Sequence, residues 1–209
     1  LSETGEKISK SKGNGISVEE WLTYAPSESM ALFMYQKPKT AKKLYFDVIP
    51  KAMDEYLAFL QSYHAQDAAL KLENPAFHIH EGKVLEINFN INYSLLLNLA
   101  SACNPESDSV LWGFIAKYQE GLTPQNSPLL KKMVHNAIAY YNDFIKRHKQ
   151  FRDASATEKA ALLELVEKLN SFPQEQAHDG ALLQNLVFQV GKNHGYEQNM
   201  RNWFLALYQ

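Results

Sequence analysis

Residues 128–149, PLLKKMVHNAIAYYNDFIKRHK, decide the fold because their apolar side chains recur at helical spacing. Steps of three or four positions place such side chains on one stripe of an α-helix. Pro128 suits the first turn, where a missing N–H leaves no hydrogen bond unmade. The stretch therefore predicts a long helix with one buried face. The residues of that face are Val134, Ile138, Tyr141 and Ile145.

The segments on either side of this helix repeat the pattern. Residues 155–158, Ser-Ala-Thr-Glu, form a capping pattern at the start of another helix. Residues 180–193 and 196–208 predict a final helical pair, and residues 87–99 and 107–118 keep helical spacing upstream. The second half of the chain is thus predicted to be all-helical.

The first half of the chain mixes helical and extended patterns. Ser17 predicts a helix start with acidic residues in its first turn, and Ser27 opens a second helix after Pro26. Short apolar or alternating runs near residues 40–47 and 76–86 predict a small strand element. The predicted fold class is therefore mainly α, with connector helices and a small strand element before an all-α helix-cage region.

Composition narrows the class of protein. Hydrophobic residues make up 45% and charged residues 21% of 209 residues, which is typical of a soluble globular protein. The stretch richest in apolar residues, 93–102, is too short to cross a bilayer, so no membrane partner is expected. The single cysteine, Cys103, excludes an intrachain disulfide and suits the cytoplasm.

A net charge of −2 gives the chain no strong overall attraction for nucleic acid. Any RNA site must therefore come from local basic clusters. Two such clusters are Lys37, Lys39, Lys42 and Lys43, and then Lys146, Arg147, His148, Lys149 and Arg152.

The run with the clearest chemistry is residues 7–14, Lys-Ile-Ser-Lys-Ser-Lys-Gly-Asn. Ammonium groups aimed at phosphate oxygens stabilise the negative charge that develops when an α-phosphate is attacked. Serine and glycine allow such a loop to close over a nucleotide and reopen. The run is consistent with a phosphate clamp, although a flexible basic loop has the same composition.

This run resembles the KMSKS signature of class I aminoacyl-tRNA synthetases, with Ile8 in the methionine position. A capped helix at residues 15–22, a second helix at residues 26–35 and then Leu44-Tyr45-Phe46-Asp47 make the chain most similar to the class I lysyl-tRNA synthetase family. The resemblance continues through the helices to residues 202–208.

The resemblance implies a ligase that activates lysine with ATP and transfers it to tRNA(Lys), the partner RNA. It implies that Lys7 and Lys10 are catalytic, and that the ATP phosphates contact Lys7, Ser9, Lys10 and Ser11. ATP, with Mg²⁺, is expected in the full-length enzyme, with no tightly bound cofactor and no protein-held metal in this part.

The resemblance also suggests a functional division of the chain. Residues 1–16 would be the ATP loop at the end of the catalytic domain, and residues 17–83 a connector that contacts the tRNA stem. Residues 84–209 would be the anticodon-binding helix cage, expected to be truncated at its C-terminus. No HIGH-type motif or nucleotide-binding strand–loop–helix unit is present in the sequence, so the chain by itself is expected to be inactive.

Two other interpretations remain open from the residues themselves. The chain can be a helical RNA- or protein-binding module without ligase activity. It can also belong to a class I synthetase of another amino-acid specificity, because the signature is shared across that class.

Overall fold

A computed structural model describes residues 1–149, 152–177 and 179–208, and only the backbone of Lys10. The described residues are mainly helical. The α-helices are α1 (Val18–Tyr24), α2 (Ser27–Tyr35), α3 (Val48–Ala65), α4 (Ala68–Glu73), α5 (Pro75–Ile79), α6 (Tyr93–Cys103), α7 (Asp108–Tyr118), α8 (Pro128–Tyr140), α9 (Ala156–Asn170), α10 (Gly180–Asn193) and α11 (Met200–Tyr208). Short turns of other helical types lie at Lys10–Lys12, Tyr141–Ile145, Lys146–His148 and Gln174–Gln176.

The mainly α prediction is confirmed, but the small strand element is wrong: the residues that the structure describes contain no strand. The alternation at residues 77–80 is overridden by a helix start. The Asn74 side chain accepts a hydrogen bond from the Ala76 N–H (2.9 Å), and Pro75 occupies the first helical turn. Residues 44–47 instead form the turn that leads into α3, where the Val48 N–H donates to Tyr45 O (3.0 Å).

The chain divides into two compact units, residues 1–147 and 148–209. The predicted regions 1–16, 17–83 and 84–209 are defined by function, so they stay predictions beside this structural division. No helix among the described residues is both long enough and apolar enough to span a membrane.

The core of the first unit is built mainly from α3, α6 and α8. It buries large side chains from each of these helices, which removes their apolar surface from water. These side chains include Met53, Tyr56, Leu60, Tyr93, Leu96, Met133 and Val134. A smaller core beside it joins α1 to the start of α3 through Trp21, Ala25, Ile49 and Ala52.

Side chains of α6 and α8 hold the C-terminal end of α1. The last carbonyls of a helix lack partners within that helix. Asn136 donates from Nδ2 to Thr23 O (2.9 Å), and the Tyr93 hydroxyl donates to Tyr24 O (2.5 Å). The helix that follows the basic loop is therefore anchored to the main core at its far end.

The second unit has its own core. Ala161 and Leu165 of α9 contact Val190 of α10 and Trp203 of α11. Trp203 is fully buried, and its indole N–H donates to Val187 O (2.9 Å). An indole that is both buried and hydrogen-bonded fixes the distance between α10 and α11.

Candidate functional site

The loop at residues 7–14 is closed by one amide side chain. The Ser9 N–H donates to Asn14 Oδ1 (3.0 Å), and Asn14 Nδ2 donates to Lys7 O (3.4 Å). One asparagine therefore satisfies a backbone donor and a backbone acceptor on the opposite side of the loop. It holds the ends of the basic run together.

Ser9 starts the short helical turn at Lys10–Lys12. The Lys12 N–H approaches both Ser9 Oγ (3.3 Å) and Ser9 O (3.2 Å). The hydroxyls of Ser9 and Ser11 lie 3.3 Å apart. The two serines predicted to bind phosphate therefore lie side by side in the loop.

The lysines of the loop differ in what surrounds them. Lys7 is exposed, and the Lys12 ammonium lies 3.7 Å from a carboxylate oxygen of exposed Glu6. The side chain of Lys10 lies outside the described residues. The structure thus brings Lys7, Ser9 and Ser11 into one loop, and the direction of the Lys10 ammonium stays a prediction.

Two glycines let the loop turn tightly. Gly13 has φ +59°, in the left-handed region that glycine adopts without strain. A Cβ added to Gly15 would lie 2.3 Å from Ile8 Cγ2, so only glycine fits against that side chain. Ile8 is therefore the apolar contact on which the loop folds back.

The end of the loop is joined to a rigid helix. Ser17 and Glu20 form a capping box at the start of α1, with Ser17 N–H donating to Glu20 Oε2 (2.7 Å) and Glu20 N–H to Ser17 Oγ (3.1 Å). Trp21 is fully buried and donates from its indole N–H to Ser29 Oγ (3.0 Å). The loop is thus followed directly by a helix that is capped at its start and anchored in the core.

A cleft of about 310 Å³ lies beside the loop. Gly13, Asn14 and Ile16 form one wall and Leu44, Tyr45 and Phe46 another. Glu3 also lines the cleft, and its carbonyl accepts a hydrogen bond from the Lys43 ammonium (3.0 Å), next to the second wall. The loop therefore borders a space into which a ligand could extend.

Sequence reasoning missed the role of Asn14. Its signal was available, because asparagine beside glycine commonly hydrogen-bonds nearby backbone groups in tight turns. The pairing of Glu6 with Lys12 carried no such signal, since it depends on the path of the folded loop.

His78 and His80, two positions apart in the sequence, each have a ring nitrogen at hydrogen-bonding distance from another group of the protein. His78 Nε2 lies 2.8 Å from Leu72 O, and His80 Nε2 lies 2.8 Å from the Tyr56 hydroxyl. Burial lowers the pKa of His80. Within the described part of the chain, no group of three or more His, Cys, Asp or Glu side chains could hold a metal ion.

Comparison with known proteins shows what the chain is similar to. Residues 1–83 match the family model of tRNA synthetases class I (K). The whole chain is 51% identical to the lysine–tRNA ligases of Rickettsia peacockii (strain Rustic) and Rickettsia bellii (strain OSU 85-389), over 211 aligned positions. It is 50% identical to the ligase of Rickettsia rickettsii (strain Sheila Smith).

The chain spans about 40% of the length of these curated relatives. No solved structure gives a significant match. The chain is therefore homologous over its full length to a part of the lysine–tRNA ligases, and its first 83 residues match the class I tRNA synthetase (K) family.

Proposed function

We propose that this chain is the part of a lysine–tRNA ligase that supplies the ATP loop and recognises tRNA(Lys). The observation that carries the proposal is identity of 51% over the entire chain to ligases of that name. The interpretation as a binding module without ligase activity has no comparable support. The family match ends at residue 83, which supports a connector that reaches to residue 83 before the helix cage.

In the proposed reaction, a carboxylate oxygen of lysine attacks the α-phosphate of ATP and pyrophosphate leaves. A hydroxyl of the terminal adenosine of tRNA(Lys) then attacks the lysyl carbonyl, and AMP leaves. Lys7 and Lys10 would stabilise charge on the phosphate oxygens and on pyrophosphate as the bond breaks. Ser9 and Ser11 would donate hydrogen bonds to the same oxygens.

Mg²⁺ is expected to enter with ATP, and we assign it no ligand among the described residues, which form no metal-binding group. The cytoplasm is the proposed location. The chain alone is proposed to be inactive, since its sequence carries no HIGH-type motif.

Aminoacylation by the full-length protein tests this function. The protein is incubated with total tRNA, ATP and each amino acid in turn, beside Lys10→Ala and Lys12→Ala. We expect lysine charging, with kcat lowered about 100- to 1000-fold in Lys10→Ala, as for loss of one preorganised charge-stabilising group. Lys12 is the matched control because it lies in the same loop and already pairs with Glu6.

Each alternative outcome has a distinct meaning. Charging with another amino acid would keep the class and overturn the lysine specificity. Equal losses in Lys10→Ala and Lys12→Ala would assign the effect to loop charge in general. Absence of charging with all amino acids would leave the binding-module interpretation.

A further inference from the structure

A cleft of about 1010 Å³ lies at the C-terminal end of α2. Residues 35–42 form one wall and Glu55 of α3 another. We call it the Lys37 cleft, and its lining includes Phe33, Tyr35, Lys37, Pro38, Lys42 and Glu55. It is separate from the loop of residues 7–14.

The backbone at Lys37 is strained. Its φ is +45°, and the residue before a proline ordinarily prefers an extended conformation. The Thr40 N–H (3.1 Å) and the Thr40 hydroxyl (2.8 Å) both donate to Lys37 O and hold the turn. Strain of this kind persists only where surrounding contacts enforce it, and such residues concentrate at binding sites.

Positive charge is concentrated at the cleft. The Lys42 ammonium donates to Phe33 O and to Met34 O (3.3 Å) at the end of α2 and lies 5.0 Å from the centre of the Phe33 ring. Burial lowers the pKa of Lys42, and the nearby charge of Lys37 lowers it further, against the opposite effect of Glu55. Lys42 is therefore engaged by the protein, whereas exposed Lys37 presents its charge to solvent.

Tyr35 supplies a flat ring at the same cleft. The ring stacks on His78, with 5.5 Å between ring centres and 19° between planes. Tyr35 is nevertheless 47% exposed, so contact with His78 leaves much of its surface free. A supported aromatic ring beside an exposed lysine is a combination that suits the binding of single-stranded nucleic acid.

We propose that the Lys37 cleft binds one unstacked nucleotide of RNA, with its base on Tyr35 and its phosphate at Lys37. The inference rests on the proposed function, because that function identifies the RNA as tRNA. The carboxylate of Glu55 is the opposing charge at the cleft; it accepts a hydrogen bond from Gln36 Nε2 (2.9 Å) and is partly offset by the positive charge of Lys42.

Tyrosine variants test the stacking. In the full-length protein, tRNA affinity is measured by fluorescence anisotropy over a series of KCl concentrations. Tyr35→Ala is expected to weaken binding about tenfold, the effect of losing one base–aromatic stack. Tyr35→Phe keeps the ring and should bind within about twofold of the unchanged protein.

Lysine variants test the phosphate contact. Glycine accepts the left-handed backbone at position 37, so Lys37→Gly removes the charge without adding strain. The plot of log association constant against log salt should become shallower by about 0.7 for one lost phosphate contact. Lys83→Gly is the matched control, because Lys83 is an exposed lysine outside any helix and is not among the residues that line this cleft.

The proposal would be overturned if Tyr35→Ala and Lys37→Gly bound tRNA with the same affinity and salt dependence as Lys83→Gly. This holds even if Lys10→Ala still abolishes lysine charging. A protein that binds tRNA through the cleft and charges no amino acid would keep this inference and refute the ligase function. Binding of AMP is measured as well, to test whether the cleft takes a free nucleotide instead of RNA. AMP binding that Lys37→Gly abolishes, with tRNA affinity unchanged, would refute an RNA site and indicate a mononucleotide site.

Discussion

At the residue scale, the contact between Ile8 and Gly15 determines the shape of the candidate ATP loop. Ser9, Lys10 and Ser11 lie between these two residues, and Lys7 directly precedes Ile8, so the contact between Ile8 and Gly15 sets where the loop can close. The missing Cβ at Gly15 allows an approach that any other residue would block. Asn14 then secures the closed loop through its two backbone hydrogen bonds.

Gly15→Ala should impair the loop without unfolding the chain. The new Cβ would lie 2.3 Å from Ile8 Cγ2, so the loop must shift. A displacement near 1 Å in a reacting group can cost about 100-fold in rate. We expect a large loss of lysine-dependent ATP–pyrophosphate exchange in the full-length protein, with an unchanged melting temperature.

A compensating variant separates the steric cause from other effects. Ile8→Ala removes the methyl group that would clash, so Ile8→Ala combined with Gly15→Ala should recover part of the lost exchange activity. A double variant no better than Gly15→Ala alone would show that the Ile8 contact is not what Gly15 serves.

At the element scale, two helix starts are stabilised by hydrogen bonds between side chains and the backbone. The capping box of Ser17 and Glu20 opens α1, and that of Ser155 and Glu158 opens α9. At α9 the box is reinforced, since Arg152 donates from Nη1 (2.8 Å) and Nη2 (2.5 Å) to the Glu158 carboxylate. The hydrogen bonds from Arg152, then the Ser155 N–H, lower the pKa of Glu158 to about 2.

This pKa predicts acid sensitivity of the second unit. Because the folded-state pKa lies below the unfolded one, the carboxylate stabilises the fold above its ordinary pKa of about 4.3. That contribution is lost as the pH falls from there towards the folded-state value. Glu158→Gln should therefore flatten the fall in melting temperature across this range, as followed by circular dichroism.

Glu167→Gln is the control for this experiment, because Glu167 is exposed on the same helix. A pH profile in Glu158→Gln that matches Glu167→Gln would contradict the role of the Arg152 pair. Glu164 should add to the acid sensitivity in both variants, because hydrogen bonds from Lys168, Asn193 and His194 lower its pKa to about 2.

At the scale of the whole molecule, each compact unit has a core of its own. The second unit depends on few large side chains, with Leu165 and Trp203 at the centre. A small core of this kind has little stability in reserve, so one buried charge should be enough to unfold it.

Leu165→Asp should unfold the second unit while the first keeps its helices. Leu165 is 7% exposed, and an unpaired carboxylate there has no partner to offset its desolvation. Leu163→Asp is the matched control, since Leu163 is 65% exposed on the same helix. Circular dichroism should show partial loss of helicity and of cooperative melting in Leu165→Asp alone; full helicity in that variant would refute the assigned buried face.

Much of the candidate site was predictable because its residues are consecutive. Lys7, Ser9, Lys10 and Ser11 lie in one short run, so their proximity follows from the covalent chain. The Lys37 cleft was not predictable in this way. The sequence shows the lysines, but the stacking of Tyr35 on His78 joins positions 43 residues apart, and only folding brings those rings together.

The sequence by itself determined the helical class, the helix starts at Ser17 and Ser155, and the basic loop, because periodicity, capping and glycine content are local properties. The tertiary structure decided the rest. It placed Asn136 and Tyr93 on the end of α1 and divided the chain after Arg147. These outcomes depend on contacts between distant segments, whose free energies local propensity does not contain.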